Sequence, residues 1–331
     1  MHGWIILDKP LGLGSTQGVS AVKRALRAGG YGKVKVGHGG TLDPLATGVL
    51  PIALGEATKL AGRMLDASKV YDFTIRFGVQ TDTLDLEGRA IATSDVRPTQ
   101  AAVTAVLARF TGAIEQVPPA YSALKVDGER AYDLARAGQE VVLATRAVTI
   151  LSLQFLPGTG RGTSEAGGGG LPQATPLVAA PPPASRRGGP PPRAGEELHE
   201  VTLTAHVSKG TYIRSLARDI AVALGTVGHV TMLRRTRAGP FTLGQAISLD
   251  KLADAANSRA LEYLLLPLRA GLDDIPALPL SPDQAGLLRQ GRELVGIAAD
   301  DGPWFATLDD VPVALTQATD GIVRVVRGFN L

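Results

Sequence analysis

The sequence contains no cysteine, few aromatic residues and no long apolar run. Without cysteine there can be no disulfide, no thiolate zinc site and no cysteine nucleophile. The apolar run near the N-terminus covers only the four residues from Trp4 to Leu7, which is too short for the hydrophobic region of a signal peptide. No other run approaches the roughly 20 residues that a membrane-spanning helix needs. We therefore expect a cytoplasmic protein without a membrane contact.

The length and charge of the chain set broad limits on its partners. With 331 residues, 44% of them hydrophobic, it can bury a full core and is long enough for two domains. The net charge of +3 and the pI near 9.2 would favour a nucleic-acid partner if the charge were evenly spread. However, residues 157–195 hold four Arg and one Glu, which accounts for the whole excess. An argument for RNA binding must therefore rest on local clusters.

One segment has a composition unlike the rest of the chain. Residues 157–195 contain ten Gly and nine Pro, too little apolar surface to offset the entropy of ordering the segment. Its flanks, 147–156 and 198–207, have the alternation of strands. We interpret the segment as a flexible insertion that connects two strands of one sheet. The alternative is a basic tail that contacts RNA, formed by Arg186, Arg187 and Arg193.

Elsewhere, helical and strand patterns alternate without a regular βαβ period. Apolar spacing predicts helices at 15–28, 99–112 and 211–225 and strands at 48–54 and 70–79. This arrangement favours a mixed α/β sheet. From residue 276 onward the pattern changes to short strands and turns, and the segment holds four Arg against seven acids. We predict a catalytic domain over residues 1–270 and a small C-terminal β-barrel over 276–331.

The stretch GHGGTLDPLATGVLP, residues 37–51, contains four glycines, one histidine and a single acid, Asp43. A simple turn is the plainest interpretation. A nucleotide-binding loop is disfavoured because position 42 is Leu and no Gly-Lys-Ser/Thr follows. A glycosidase would need a second carboxylate, and the next acid in sequence is Glu56, which weakens that class without excluding it. The remaining interpretation is a rigid shelf with one carboxylate, where Gly37, Gly39 and Gly40 let a flat base or sugar approach the backbone.

Residues 37–60 resemble the signature of the tRNA pseudouridine synthases that isomerise the T-loop uridine at tRNA position 55. Gly39 stands where many members carry Thr. The other boxes of this family have similar segments at 5–16 (N-terminal box), 69–88 (tyrosine box), 117–136 (RNA-gripping thumb), 208–220 (arginine box), 229–241 (leucine box) and 321–331 (end of the PUA module). The resemblance implies a mixed α/β pseudouridine synthase catalytic domain followed by a PUA-like RNA-binding barrel.

The resemblance also implies three catalytic roles. Asp43 is the carboxylate that starts the exchange, in which the uracil detaches, turns and rejoins the sugar through C5. Arg214 pairs with that carboxylate, although its spacing from Arg218 alone is typical of a surface helix. Tyr71 stacks on the flipped uracil and could relay a proton through its hydroxyl. No metal and no cofactor are implied.

Further residues are expected to bind the RNA. His38 fills the gap that the flipped base leaves, Tyr212 and Leu233 form pocket walls, and Lys209 and Arg234 contact phosphates. The last two belong to a predicted basic cluster of Lys209, Arg214, Arg218, Arg234, Arg235 and Arg237. The implied partner is the T stem-loop of tRNA, with no protein partner.

Two other classes remain open. One is a protein that binds or folds RNA without catalysis, on the same scaffold. The other is a nucleoside or sugar hydrolase that uses Asp43, which would release free uracil.

Overall fold

The structure is a computed structural model that describes residues 1–126, 128–156 and 196–331. The strands are β1 Gly3–Lys9, β2 Val36–His38, β3 Ala46–Leu54, β4 Lys69–Phe77, β5 Val79–Thr81, β6 Ala90–Thr93, β7 Gly112–Gln116, β8 Lys125–Val126, β9 Glu129–Arg130, β10 Arg146–Phe155, β11 Glu200–Val207, β12 Gly228–Ala238, β13 Phe241–Thr242, β14 Ala277–Pro279, β15 Leu294–Val295, β16 Gly302–Leu308, β17 Val311–Thr319 and β18 Ile322–Gly328. The helices are α1 Ser15–Ala28, α2 Ala61–Asp66, α3 Gln100–Leu107, α4 Ala131–Arg136, α5 Ile213–Ala223, α6 Leu249–Asn257 and α7 Pro282–Arg289.

By contacts, the chain divides into two compact units. Unit 1 comprises residues 1–70 and 234–331, and unit 2 comprises residues 71–233. The predicted boundary between residues 270 and 276 follows a different criterion, the change in sequence pattern, and stays a prediction.

In unit 1, the N-terminal strand β1 pairs antiparallel with β3 from Gly3 opposite Leu54 to Lys9 opposite Gly48. Most of β3 is buried, because its apolar residues are covered on both faces. Strand β2 pairs with the far end of β3, so the chain between them, residues 39–45, returns along β3 as a loop. This loop carries Asp43.

The C-terminal part of unit 1 forms a five-stranded sheet in the order β14-β16-β17-β18-β15. Its own core includes Leu278, Ala285 and Val323. Phe305 and Phe329 belong instead to a second cluster that contains Trp4 and Phe241. The ring centroids of Trp4 and Phe241 lie 5.2 Å apart. The C-terminal module is therefore joined to the first strands of the chain by a shared apolar cluster.

In unit 2, one apolar cluster is built by alternate residues of the strands and one face of a helix. Phe73, Ile75 and Phe77 of β4 contribute one row, and Ile213, Leu216, Ala217 and Ile220 of α5 cover it. Strands β10 and β11 pair antiparallel, and β10 also pairs with β7. The strands that flank residues 157–195 therefore are neighbours in one sheet, as predicted. The insertion itself, with Arg186, Arg187 and Arg193, lies outside the described residues.

The predicted fold class, a mixed α/β sheet with a small C-terminal β module of PUA-like type, is confirmed. The helix at 15–28 has the predicted bounds. The helix expected over 99–112 is shorter, because its last turn tightens into a 3₁₀ turn at Ala108–Phe110. Gly112, expected to end the helix, instead opens β7 with a φ of 96°.

Candidate active site

The loop that carries Asp43 has every backbone carbonyl from residue 40 to residue 44 hydrogen-bonded. The acceptor and donor pairs are Gly40 O with Arg235 Nη2, Thr41 O with Arg235 Nη1, Leu42 O with Ser15 Oγ, Asp43 O with Ala46 N, and Pro44 O with Gly12 N and Lys9 Nζ. A loop without sheet pairing must satisfy its polar groups in another way. Here three side chains from distant segments do so, and the loop has little freedom to move.

Ser15 binds both backbone groups of the residue before Asp43. Its hydroxyl donates to Leu42 O at 3.0 Å and accepts from Leu42 N at 2.7 Å, and both residues are buried. Ser15 is the first residue of helix α1, and its side chain bonds the Asp43 loop instead of the helix end. Gly14 occupies the cap position, and its backbone N–H donates to Gln17 Oε1 at 2.7 Å.

Arg235 is almost fully buried, with 1% of its surface exposed. Its guanidinium donates to Val49 O at 2.8 Å and to Thr41 O at 3.0 Å, with a longer contact of 3.4 Å to Gly40 O. A planar fork of this kind fixes direction as well as distance. Arg235 thus ties the loop before Asp43 to the strand that follows it.

Lys9 is buried at the end of β1, and its ammonium donates to Leu13 O at 2.6 Å, Pro10 O at 3.1 Å and Pro44 O at 3.2 Å. The pKa of Lys9 is lowered to about 8, mainly by burial; attraction to the Asp43 carboxylate raises it in part, and the charge of Arg235 lowers it. Asp43 itself is half-buried. The acid therefore has two cationic neighbours whose hydrogen bonds hold its loop.

The glycines beside Asp43 have a different role from the one predicted. A Cβ at Gly39 would lie 2.7 Å from Met64 Cβ, so this glycine permits close packing within the protein. Gly40 has a φ of 127°, which favours glycine, and both residues are buried. Only Gly37 of the three faces open space. The expected shelf for a flat ligand is therefore limited to Gly37.

His38 ends β2, immediately before the Asp43 loop. Its Nδ1 atom is buried and has no hydrogen-bond partner among the described residues. Burial, followed by the charge of Arg235, lowers the pKa of His38 below its ordinary value. The ring is therefore neutral at pH 7 and presents an uncharged flat surface.

Most cations of the predicted basic cluster bond to groups of the protein itself, and their contacts with phosphates stay predictions. Arg214 and Arg235 are buried, with 6% and 1% of their surfaces exposed. Arg234 forms a two-pronged ion pair with Asp8 at 2.8 and 3.0 Å, and Arg218 pairs with Asp219 at 2.8 Å. Arg237 donates to Gly239 O at 2.7 Å. Most of these cations satisfy groups of the protein itself, which counting charges along the chain could not reveal.

In unit 2, Arg214 is held by groups from two loops. It donates to Thr83 O and to Tyr121 O, each at 2.9 Å, and lies 3.5 Å from a carboxylate oxygen of Asp85. The interpretation of Arg214 as a surface residue is therefore wrong. Asp85, which sequence reasoning missed, is oriented by Thr83 Oγ1 at 2.5 Å and by Glu87 N at 3.0 Å. The predicted pairing of Arg214 with Asp43 stays a prediction.

Two of the other predicted site residues of unit 2 pack against its apolar cluster. Tyr71 and Leu233 are partly buried against it, so each can expose one face. Tyr212 is the cap residue of α5, its backbone N–H donates to Gln116 Oε1 at 2.8 Å, and its ring lies under Arg146. Lys209 is exposed in the turn after β11. Their contacts with RNA stay predictions.

Comparisons with known proteins agree with this arrangement. The family model of the TruB family pseudouridylate synthase N-terminal domain matches residues 24–163, and that of the tRNA pseudouridylate synthase B C-terminal domain matches 214–273. A protein of Novosphingobium aromaticivorans named tRNA pseudouridine synthase B is 61% identical, over all of this chain and 98% of that protein. A Zymomonas mobilis protein of the same name is 53% identical, over all of this chain and 96% of its own length.

Among solved structures, the chain is similar to a Cbf5-Nop10-Gar1 complex, with a TM-score of 0.67 and 26% identity over 99% of this chain and 85% of that chain. The matching family models and the highly identical relatives identify the chain, with its mixed sheet and small C-terminal β module, as a pseudouridylate synthase. In particular, the chain belongs to the TruB family of these enzymes.

Proposed function

We propose that this protein isomerises a uridine of tRNA to pseudouridine, at position 55 of the T loop, in the cytoplasm. The observation that supports this most directly is the Asp43 loop. Five consecutive carbonyls are satisfied, two of the donor side chains are buried cations, and the carboxylate between them stays half-exposed. Family membership supplies the substrate class. The described residues include no helix long and apolar enough to cross a membrane.

The reaction is an isomerisation that one carboxylate can start. The bond between the sugar C1′ and uracil N1 breaks, the uracil turns, and a bond forms between C1′ and C5. The hydrogen on C5 leaves as a proton, and N1 gains one, so no oxidant, reductant or water is consumed. Asp43 acts at the sugar or the base as nucleophile or as proton acceptor. A loop that cannot shift keeps this carboxylate at the reacting atoms, which is worth large factors in rate.

The remaining site residues would prepare the RNA for this step. We propose that Tyr71 stacks on the flipped uracil, with Leu233 and Tyr212 beside it, and that Arg214 grips the Asp43 carboxylate. Neutral His38 would occupy the space that the base leaves. Lys209 and Arg234 would contact phosphates, Arg234 at the expense of its pair with Asp8.

The test uses unmodified tRNA labelled with tritium at uracil C5. The wild-type protein should release tritium to solvent, because C5 gives up its hydrogen when it joins the sugar. Asp43→Asn has nearly the same shape, so it should bind tRNA normally and release no tritium. Asp283→Asn, an exposed acid on α7, is the matched control and should behave like wild type.

Other outcomes identify the alternatives. Free uracil in place of pseudouridine would make the protein a hydrolase. Tight tRNA binding without tritium release from any tRNA would make it a non-catalytic RNA-binding protein. Turnover by Asp43→Asn would place the chemistry on another residue.

A further inference from the structure

Helix α1 has an unusual charge pattern that the active site does not explain. It carries three cations, Lys23, Arg24 and Arg27, and no acid. Among the described residues, the other α-helices that carry charge each contain at least one acid. In each of these helices, the sequence also contains a cation. The whole stretch from residue 10 to residue 42 lacks an acid. Surface helices usually mix both signs, so this face is exceptional.

The three cations share one exposed face. Arg27 lies four residues after Lys23 and three after Arg24, which places all three side by side on the helix surface. All three are exposed, while Ala21, Val22, Ala25 and Leu26 form the buried face. We call the exposed residues Lys23, Arg24 and Arg27 the α1 cationic face.

No carboxylate of the described residues forms an ion pair with this face. The ion pairs of unit 1 that the structure describes all use cations outside α1, such as Arg63 with Asp274 at 2.9 Å. Helix α6, which packs against α1, carries Asp250 and Asp254, but neither pairs with the face. Within the part of the chain that the structure describes, no ion pair therefore offsets the mutual repulsion of these three adjacent cations.

A helix dipole accounts for only part of this pattern. Cations in the last turn of a helix are favourable, and Arg27 lies there. That effect falls off within one turn, so it does not account for Lys23 and Arg24. It also predicts a change in the stability of the fold when the charges are removed, and no change in binding to a partner. Measurements of stability and of binding therefore separate a helix-dipole effect from a role in binding a partner.

We propose that the α1 cationic face binds the phosphate backbone of the substrate tRNA, away from the flipped uridine. This inference rests on the proposed function, which makes the substrate a polyanion. Cation side chains that reach phosphates supply affinity without reading the bases. The helix is also placed for this role along the chain, because residues 29–35 connect it to β2 and the Asp43 loop.

The expected magnitude follows from counterion release. Each neutralised phosphate contributes about 0.7 to 0.9 to the slope of log affinity against log salt, so three contacts contribute about 2 to 3. Between 1 M salt, where such contacts are screened, and 0.1 M salt this slope amounts to about a 100- to 1000-fold change in affinity.

The test compares the wild type with a triple variant, Lys23→Ala, Arg24→Ala and Arg27→Ala. The measurement is the Kd for unmodified full-length tRNA from 0.05 to 1 M salt, with kcat and KM for tritium release. We expect Kd at 0.1 M salt to rise about 100- to 1000-fold and the slope to fall by about 2 to 3. KM should rise with Kd while kcat at saturating tRNA changes far less.

The control triple removes three exposed cations outside α1, with Lys251→Ala, Arg269→Ala and Arg89→Ala; Arg269 pairs with Asp310 at 3.9 Å. It changes the net charge equally and should keep the wild-type slope. A second variant keeps the charges, with Lys23→Arg, Arg24→Lys and Arg27→Lys, and should retain the wild-type Kd even if the alanine triple is less stable.

An unchanged Kd and slope in the alanine triple would overturn the proposal, as would equal losses in the control triple. A loss of binding to anionic lipid vesicles with normal tRNA binding would also overturn it and assign the face to a membrane surface. Wild-type tritium release shows that the proposed function stands in each of these cases. Its absence would instead refute the proposed function itself.

Discussion

Removal of one hydroxyl should loosen the candidate active site. In Ser15→Ala, Leu42 loses both the donor to its carbonyl, at 3.0 Å, and the acceptor for its N–H, at 2.7 Å. Each net hydrogen bond contributes about 1 kcal/mol, and each buried group left unsatisfied costs about 1 to 3 kcal/mol. Since Leu42 is buried and two of its groups lose their partner, we expect the loop to lose about 2 to 6 kcal/mol.

Amide hydrogen exchange at Leu42 measures this loss directly. A loss of about 2 kcal/mol corresponds to roughly 30-fold faster exchange if the loop opens locally. The rate of tritium release should fall by roughly 100-fold, because the carboxylate is displaced from the reacting atoms, while tRNA binding should change little. The matched control is Ser20→Ala in the same helix, whose hydroxyl bonds only Thr16 O within that helix.

The result that would refute this reasoning is equal behaviour of the two variants. If Ser15→Ala exchanges Leu42 and releases tritium at the rates of Ser20→Ala, the hydroxyl does not hold the loop. A global loss of protection across β1 and β3 would also count against a local role.

Three further predictions concern Lys9, Arg214 and the insertion. The pKa of Lys9 is lowered from 10.5 to about 8, mainly by burial, so between these pH values the unfolded state binds more protons than the folded state. In urea unfolding, wild type should therefore gain stability relative to Lys9→Met from pH 7.5 to 9.5, while tritium release should fall because the cation beside Asp43 is lost. Parallel pH profiles of the two proteins would contradict this. Arg214→Lys should lose roughly 100-fold or more in kcat with intact tRNA binding, because Lys lacks the planar fork whose two separate nitrogens reach Thr83 O and Tyr121 O. A near-normal kcat would remove Arg214 from the site. Deletion of residues 158–194 with a short turn should keep kcat and KM, because β10 and β11 pair directly, and a large rise in KM would make the insertion part of the RNA site.

Local pattern predicted the elements of the fold well, because each pattern reflects burial on one face. Helix α1 and strands β10 and β11 lie where apolar spacing placed them. The 3₁₀ turn that shortens α3 was missed, since its residues have no composition that separates them from a helix. The sequence pattern places a helix end at Gly112, but glycine with a positive φ is also suited to the start of a strand, which is where Gly112 lies.

The site was predictable where one residue type carries the chemistry and not where several segments cooperate. Asp43 stood out as the single acid among glycines. Asp85 gave no comparable signal, because its importance lies in a contact with Arg214, more than 100 residues away. Arg235 was visible as a charge, but its burial was not, and burial is what changes its role from RNA contact to support of the loop.

The same polar groups that immobilise the loop also explain why it contains one acid and no acidic neighbour. An irregular loop packed into a core leaves carbonyl oxygens that need donors, and the donors that reach Gly40, Thr41 and Pro44 are the side chains of Arg235 and Lys9. Two buried cations without a counter-charge would be unfavourable, since burial already lowers the pKa of Lys9. Asp43 supplies that counter-charge and stays half-exposed itself. A second acid there would compete for the same two cations and raise the energy of both carboxylates, so the loop accommodates one acid and holds it by the hydrogen bonds of its own backbone.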